Sequence, residues 1–348
     1  MSGTKTGLTL GKFAPLHKGH QLIIDTALSE TDHLLVLIYN CPDMTDVPLN
    51  VRASWIRDIY PNVEVMEAWD GPLEIGDTPQ IKRMHEEYIL KTLAGRQITH
   101  FYSSEFYGEH VSQALGAVNR LVDPSRAKLP VSGTLLRENP YQYRQFIHPR
   151  VYRDLITNVV FLGAPSTGKT TIAEKLAQEF GTVWMPEYGR EYWDTHHVDR
   201  RLTLEQLTEI AEGHLERENA LLGEANRYLF TDTNAQTTYI FSLYYHGKAD
   251  KRLIDYANAA SSRYDLVFLC DVDIPYDDTW DRSGEGNRQV FQQQIVGDLA
   301  ERKVPYFVLR GSVEARIAYV RQVLNHFRKY GNLTDTISAL PPIVGPSP

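Results

Sequence analysis

A ten-residue segment near the start of the chain, residues 11–20, constrains the fold more than any other feature. Its sequence, GKFAPLHKGH, follows a short apolar run and precedes the apolar-periodic residues 21–28, so a strand, a turn and a helix are predicted in that order. Glycines such as Gly11 let a backbone approach phosphate closely, and a helix N-terminus offers unpaired N–H groups to anions. We therefore expect His17 and His20 to face a nucleoside triphosphate and to stabilise charge on its phosphates.

A second phosphate-binding pattern, Gly-x4-Gly-Lys-Thr, occupies residues 163–170. It lies between a buried-strand pattern at residues 158–162 and a helical pattern at residues 171–180. This is the context that a P-loop requires: backbone amides cradle phosphates, Lys169 reaches the terminal phosphates, and Thr170 holds Mg²⁺. The residues expected to line this ATP site are Gly163, Ser166, Thr167, Gly168, Lys169, Thr170 and Thr171.

Composition and charge narrow the class of protein. The chain has 348 residues, enough for two domains, and its net charge of −8 argues against a nucleic-acid surface. Two cysteines, Cys41 and Cys270, are too few for a disulfide framework and suit a reducing cytoplasm. No apolar run reaches the about 18 residues of a membrane span, and residues 1–7 lack a signal-peptide core. We expect a cytoplasmic protein without nucleic-acid or stable membrane association. Whether it forms a homo-oligomer is left open.

Strand and helix patterns alternate through both halves of the chain, with helices predicted over residues 79–93 and 203–226 among others. This alternation predicts an α/β protein of two doubly wound parallel-sheet domains, whose sites lie at the carboxyl ends of strands. The domains are placed at residues 1–150 and 151–335, followed by an unstructured tail at residues 336–348. The boundary is predicted where His148-Pro149-Arg150 interrupts regular structure.

Residues 132–137, Ser-Gly-Thr-Leu-Leu-Arg, complete the first predicted site. Ser132 and Thr134 lie at a predicted helix start and can donate hydrogen bonds to phosphate, while Arg137 can clamp the β- and γ-phosphates. This pattern and residues 11–20 resemble the Ser-x-Thr-x-x-Arg and Gly-x-Phe-x-Pro-x-His-x-Gly-His motifs of the nucleotidyltransferase superfamily. The resemblance implies that a phosphate monoester attacks the α-phosphate of ATP in line and that pyrophosphate leaves. Residues assigned to this site are Gly11, Lys12, Phe13, His17, His20, Ser132, Thr134 and Arg137.

Carboxylates follow two predicted strands of the second domain. Residues 187–192 resemble the Glu-Tyr-x-Arg-Glu-Tyr segment of a family of P-loop kinases, and the resemblance implies that Glu187, Tyr188, Arg190 and Glu191 meet substrate. A surface cluster of ion pairs is the alternative. Asp232 ends the buried-strand pattern at residues 228–232, where P-loop enzymes place an acid that binds Mg²⁺. Each carboxylate could serve either role; we assign Mg²⁺ to Asp232 with Thr170, and the attacking hydroxyl to Glu187. Arg190 could bind phosphate or pair with Glu187 or Glu191.

Residues 277–288 are rich in charge and glycine, which is typical of a kinase lid. Glycines would allow this loop to close, and Arg282 and Arg288 could then reach the transferring phosphoryl group. The alternative is a mobile charged loop with no catalytic role.

Residues 132–140, 103–108 and 122–126 together resemble NadR-type proteins, which are bifunctional nicotinamide-mononucleotide adenylyltransferases and ribosylnicotinamide kinases. The resemblance implies a Rossmann-like nucleotidyltransferase domain followed by a P-loop kinase. The kinase would convert nicotinamide riboside to the mononucleotide (NMN), and the first domain would convert NMN to NAD, with ATP and Mg²⁺. Larger members carry a helix-turn-helix repressor domain; because the first strand here begins by about Leu8, we expect a short form without operator binding.

Two tryptophans are candidates to stack on the nicotinamide ring, Trp55 and Trp69, because flat cations favour aromatic faces. Core packing is the alternative for each. Two other functions share the domain order or the motifs: a fused phosphopantetheine adenylyltransferase and dephospho-coenzyme A kinase, and a nucleotide-sensing regulator with little turnover.

Overall fold

The computed structural model describes residues 3–105, 107–197, 202–275 and 285–340, except the side chains of residues 285 and 286. The chain divides into two compact units, Met1–Tyr152 and Arg153–Pro348. In the described residues, no helix combines the length and the apolar composition that a membrane span requires.

In its described residues, the first unit contains a five-stranded sheet in the order β3-β2-β1-β4-β5, and all strands run parallel. The strands are β1 (Thr6–Gly11), β2 (His33–Tyr39), β3 (Glu64–Ala68), β4 (His100–Ser103) and β5 (Val118–Leu121). Val36 and Leu37 are neighbours on β2 and both are fully buried, so both faces of the sheet are covered. The strand order reverses at β1, which places a ligand crevice at its carboxyl end.

The helices of the first unit follow their strands. They are α1 (Lys18–Glu30), α2 (Leu49–Ile59), α3 (Pro79–Leu93), α4 (Gly108–Leu115) and α5 (Gly133–Glu138), with a 3₁₀ turn at Arg144–Phe146. A further helix, α6 (Pro149–Leu155), begins in the first unit and continues past its last residue, Tyr152. The prediction that His148-Pro149-Arg150 interrupts regular structure is wrong, because Pro149 begins α6. A proline fits a first helical position, where its missing N–H needs no partner, and His148 accepts the N–H groups of Val151 and Tyr152.

The second unit contains another five-stranded parallel sheet among its described residues, in the order β10-β9-β6-β8-β7. The strands are β6 (Thr157–Leu162), β7 (Trp184–Met185), β8 (Tyr228–Asp232), β9 (Leu266–Cys270) and β10 (Phe307–Leu309). Every residue of β6, β8 and β9 is buried, as expected for central strands covered on both faces. The predicted fold class, two doubly wound parallel-sheet units, is confirmed.

The helices of the second unit surround this sheet. They are α7 (Lys169–Phe180), α8 (Tyr188–His196), α9 (Leu204–Leu222), α10 (Ala235–His246), α11 (Lys251–Ala260), α12 (Glu285–Glu301), α13 (Val313–His326) and α14 (Leu333–Ala339). A capping box between Thr203 and Gln206 starts α9, the predicted long helix, which ends four residues earlier than expected. The predicted tail overlaps α14: residues 336–339 are helical, and residues 341–348 lie outside the described residues.

Candidate nucleotide-binding sites

Two histidines form the start of α1, directly after the loop that leaves β1. His17 is the N-cap, and its Nδ1 accepts the N–H of Gly19 over 3.1 Å. Nδ1 of His20 accepts the N–H of His17 over a longer 3.4 Å, and the two imidazole rings stack with centroids 3.8 Å apart. Each ring therefore completes the hydrogen bonding of the helix start, and this fixes its orientation.

Burial decides the charge state of these histidines. It lowers the pKa of His17 to about 4 and that of His20 well below its ordinary value; the Arg126 guanidinium acts in the same direction on both. Both rings are therefore neutral at pH 7. Because each Nδ1 accepts a backbone N–H, the hydrogen-bond network assigns the proton of each ring to Nε2. The pair presents two N–H donors, which suit the oxygens of a polyphosphate.

Arg137 joins the two motifs that the sequence places in the first site. From α5 it donates to the carbonyl oxygen of Ala14 over 2.7 Å and to the hydroxyl oxygen of Thr134 over 3.1 Å. Ser132 caps the same helix by accepting the N–H of Leu135. A side chain at Gly133 would lie 3.0 Å from the Arg137 guanidinium and 3.3 Å from the Ala14 oxygen, which explains the glycine.

Lys12 and Phe13 lie in the loop after β1. Nζ of Lys12 contacts the sulfur of Met44 over 3.1 Å, and burial lowers the pKa of Lys12. The ring of Phe13 is buried and packs 4.8 Å from the imidazole of His20; a side chain at Gly11 would meet this ring at 3.4 Å. The ring of Phe13 supports His20 from behind, and a contact of this residue with the nucleotide stays a prediction.

Arg52 was missed by sequence analysis. Its buried guanidinium donates to the carbonyl oxygens of Lys12, Tyr39 and Val47, so it ties the ends of β1 and β2 to the loop before α2. Arg52 lies on the helix face of the buried Leu49 and Ile56. A charge on the apolar stripe of a helix is the signal that could have identified it.

The two candidate tryptophans have different environments. Trp55 is 0% exposed within α2, so it belongs to the core, and its assignment to the nicotinamide is wrong. Trp69 follows β3, is 55% exposed, and donates its indole N–H to Glu67 over 3.0 Å. Of the two, Trp69 alone is available to a ligand.

In the P-loop of the second unit, the side chain of Lys169 is bound by backbone carbonyl oxygens of the loop. Nζ of Lys169 donates to the carbonyl oxygens of Gly163 and Ala164 over 3.0 and 3.1 Å. Gly163 has a φ of 144°, and any Cβ there would lie 2.6 Å from the Cys270 oxygen. Gly168 (φ 82°) precedes the first turn of α7. Ser166 also has a positive φ, and the Thr167 hydroxyl donates to the carbonyl oxygen of Ala164. Thr171 is exposed on the first turn of α7.

Thr170 and Asp232, the predicted Mg²⁺ ligands, lie together. The Thr170 hydroxyl donates to Oδ2 of Asp232 over 2.5 Å. Burial, reinforced by the nearby Glu187, raises the pKa of Asp232 to about 6. Oδ1 of Asp232 is buried and has no hydrogen-bond partner in the described part of the chain. An unpaired carboxylate oxygen beside a hydroxyl suits a hard cation that takes its other ligands from phosphates and water.

The segment that begins at Glu187 separates into two groups. β7 pairs with β8, Met185 beside Thr231, so Asp232, the last residue of β8, and Glu187, two residues after β7, lie at the carboxyl ends of adjacent strands. Arg190 lies 3.6 Å from the Glu187 carboxylate, which is the predicted ion-pair alternative. Glu191 instead forms two hydrogen bonds with Arg217, of 2.7 and 2.9 Å, and that guanidinium stacks 4.0 Å above the ring of Tyr188. The carboxylate of Glu191 is thus engaged by a neighbouring helix.

Arg282 and Arg288, the two arginines assigned to a kinase lid, differ in what the structure shows of them. Arg282 lies outside the described residues. Arg288 is buried and donates to the carbonyl oxygens of Ser166 and Ile274 over 3.0 and 2.9 Å, so its assignment to the transferring phosphoryl group is wrong for this structure. Arg316, which sequence analysis missed, donates to the carbonyl oxygen of Thr167 over 2.7 Å.

Comparisons with known proteins agree with this geometry. Residues 158–316 match the AAA domain family. The chain is 29% identical over 328 residues to the trifunctional NAD biosynthesis/regulator protein NadR of Escherichia coli (strain K12), covering 86% of this chain and 77% of that protein. Its identity to the Salmonella typhimurium (strain LT2) protein of the same name is also 29%, over 333 residues, with the same coverage. The chain is therefore similar to the NadR proteins over most of its length.

Solved NadR structures share the fold. One, in complex with NAD and AMP-PNP, has a TM-score of 0.52 and 22% identity, covering 96% of this chain and 95% of that one. Another, in complex with NR, has a TM-score of 0.52 and 23% identity, covering 92% and 97%. The predicted resemblance to NadR-type proteins is confirmed.

Proposed function

We propose that this chain makes NAD from nicotinamide riboside in two ATP-dependent steps. Its P-loop unit phosphorylates the riboside to NMN, and its first unit joins NMN to the AMP part of ATP. One observation supports the proposal: the chain is similar to NadR over 86% of its length, and a stacked histidine pair and a P-loop follow the central strands of its two sheets.

In the kinase step, the 5′-hydroxyl oxygen of the riboside attacks the γ-phosphorus of ATP, the bond to the β-phosphate oxygen breaks, and ADP leaves. The P-loop amides and Lys169 hold the phosphates. Glu187, 25% exposed at the end of β7, orients the hydroxyl and accepts its proton. Arg190, which is 3.6 Å from Glu187 and half exposed, is placed to contact substrate phosphate when that pair opens.

Thr170 and Asp232 are the residues that would hold Mg²⁺. When bound, the ion neutralises charge that develops on the β- and γ-phosphate oxygens. The buried, unpaired Oδ1 of Asp232 supports this assignment. Because burial raises the pKa of Asp232 to about 6, its carboxyl is mostly ionised at pH 7 and above, where it can bind a cation.

In the adenylyltransferase step, a phosphate oxygen of NMN attacks the α-phosphorus of ATP, and pyrophosphate leaves. His17 and His20 donate from Nε2 to phosphate oxygens, and Lys12 and Arg137 stabilise the charge of the leaving group. Ser132 and Thr134 lie at the N-terminus of α5 beside Arg137. Trp69 is the surface on which the nicotinamide ring stacks.

Two further expectations concern the cellular location of the chain and its binding to DNA. Both cysteines are free and buried, which fits a reducing cytoplasm. The net charge of −8 leads us to expect no sequence-specific DNA binding.

Incubation of the purified chain with nicotinamide riboside and MgATP, followed by chromatography, tests the function. NMN should appear first and NAD second, with one ADP and one pyrophosphate released per NAD. Phosphorylation of dephospho-coenzyme A without turnover of the riboside would overturn the proposal and favour the fused coenzyme A synthase. Binding of NAD and ATP without products would favour the regulator.

A further inference from the structure

The carbonyl oxygens of the P-loop are held by buried arginines of two helices. Arg288 of α12 donates to the oxygen of Ser166 over 3.0 Å, and Arg316 of α13 donates to the oxygen of Thr167 over 2.7 Å. Both side chains are 1% exposed. Arg316 also donates to the carbonyl oxygens of Gly311 and Asp271, so it connects the loop to the ends of β9 and β10.

These bonds determine where the amides of the loop point. In a planar trans peptide, the C=O and N–H bonds point in opposite directions. A fixed Ser166 oxygen therefore sets the direction of the Thr167 N–H, and a fixed Thr167 oxygen sets that of the Gly168 N–H. Both N–H groups are turned away from the arginines.

Gln292 identifies the outer side of the loop. Its Oε1 accepts the N–H of Ala164 over 2.8 Å, and its Nε2 donates to the oxygen of Cys270 over 3.1 Å. The Gly163 oxygen belongs to the same peptide as that N–H and accepts Lys169 over 3.0 Å. Gln292 and Lys169 therefore lie on opposite sides of this peptide. Because Gln292 and Arg288 are four residues apart on α12, they share one helix face against the outside of the loop.

We propose that Arg288 and Arg316 are positioning residues that hold the N–H groups of Thr167 and Gly168 in a phosphate-binding direction before ATP arrives. The inference rests on the proposed function of this loop as the ATP site of the kinase. A Ser166 or Thr167 carbonyl turned inward would repel phosphate, whereas N–H groups already turned inward need no reorganisation on binding. Neither arginine side chain has to touch the nucleotide.

The test uses Arg288→Lys in the full chain. Lysine keeps the positive charge but lacks the planar fork that reaches both Ser166 and Ile274. We expect the KM for ATP and the inhibition constant of ADP to rise about tenfold or more. The inhibition constant of AMP and the KM for riboside should change less than twofold. A merely structural role would move all four constants together and would overturn the proposal, as would an unchanged KM for ATP.

The matched control is Arg302→Lys, at the residue directly after the same helix, where Arg302 pairs with Asp298. It should leave the KM for ATP unchanged. If Arg288→Lys does not fold, Arg316→Lys carries the same test, because lysine keeps the charge but lacks the planar fork that reaches the Thr167 oxygen. Calorimetric binding of ADP and AMP needs no riboside, so its result is independent of the proposed activity. Equal loss of ADP and AMP affinity in Arg316→Lys would also contradict the proposal.

Discussion

The Thr170 hydroxyl donates a 2.5 Å hydrogen bond to Asp232, and the other oxygen of that carboxylate has no partner in the described residues. This arrangement predicts that Asp232→Asn raises the Mg²⁺ concentration needed for half-maximal kinase activity and slows turnover, because an amide is a weaker ligand for a hard cation. Glu187→Gln should slow turnover and weaken riboside binding at an unchanged Mg²⁺ requirement. Mg²⁺ titrations of riboside phosphorylation measure both.

Glu191→Gln is the control for the Glu187 variant, since it makes the same change in the same segment. Its carboxylate is already engaged by Arg217, so we expect a loss of stability within about 1 kcal/mol and kinase constants close to those of the unmodified chain. A shifted Mg²⁺ curve for Glu187→Gln alone would reverse the roles of the two carboxylates.

Separate phosphate sites predict separable activities. Lys169→Ala should abolish riboside phosphorylation and spare adenylylation of supplied NMN, whereas His20→Ala should do the reverse. Loss of one preorganised charge-stabilising group costs about 10²–10³ in rate. Two variants at exposed positions are controls and should leave both rates unchanged. They are Lys175→Ala, on the same helix as Lys169, and His33→Ala, at the start of β2. Loss of both activities in a folded single variant would rule out two independent sites.

The neutral state of the histidine pair predicts a dependence of stability on pH. Because the pKa of His17 is lowered from 6.5 to about 4, the unfolded chain binds more protons than the folded chain between these values. The contribution of neutral His17 to the free energy of unfolding is fully present above pH 6.5 and is lost as the pH falls towards 4. This change is on the order of 3 kcal/mol. His17→Asn keeps an N-cap acceptor and removes the titration, so its free energy of unfolding should decline less with acid.

Urea unfolding at pH 7 and pH 4.5 measures this difference. Comparison of the variant with the unmodified chain cancels the other titrating groups. An equal decline in both would show that His17 is protonated in the folded state.

The tryptophans predict opposite phenotypes. Trp55→Ala removes a fully buried side chain and should cost about 3–5 kcal/mol of folding stability. Trp69→Ala should leave the melting temperature nearly unchanged and raise the KM for NMN, because an exposed stacking surface is lost. Thermal melts and adenylyltransferase kinetics separate the two effects. A wild-type KM for NMN in Trp69→Ala would exclude stacking on this ring.

Sequence patterns predicted elements with strong local signals and missed those that depend on tertiary contacts. The helix over residues 79–93 was predicted with correct ends, since the Thr78 cap, a proline at its first position and apolar spacing agree. β5 was not predicted, because its four residues are all exposed on an edge strand and carry no alternation.

The site shows the same division. Motif residues such as His17, Arg137 and Thr170 could be predicted as candidates because the motifs specify their side chains directly. Arg52 and Arg316 act on backbone carbonyl oxygens, and carbonyl directions leave no periodic pattern in a sequence. Arg288 was identified but given the wrong partner for that reason.

In both units, the nucleotide-binding loop joins the central strand of a sheet to the helix that follows it, β1 to α1 and β6 to α7. One loop presents imidazole N–H groups, and the other presents an ammonium group and backbone amides. Under the proposed function, one scaffold directs attack at the α-phosphorus in one unit and at the γ-phosphorus in the other. The regioselectivity of phosphorus chemistry then resides in short loops that can diverge while the sheets beneath them are preserved.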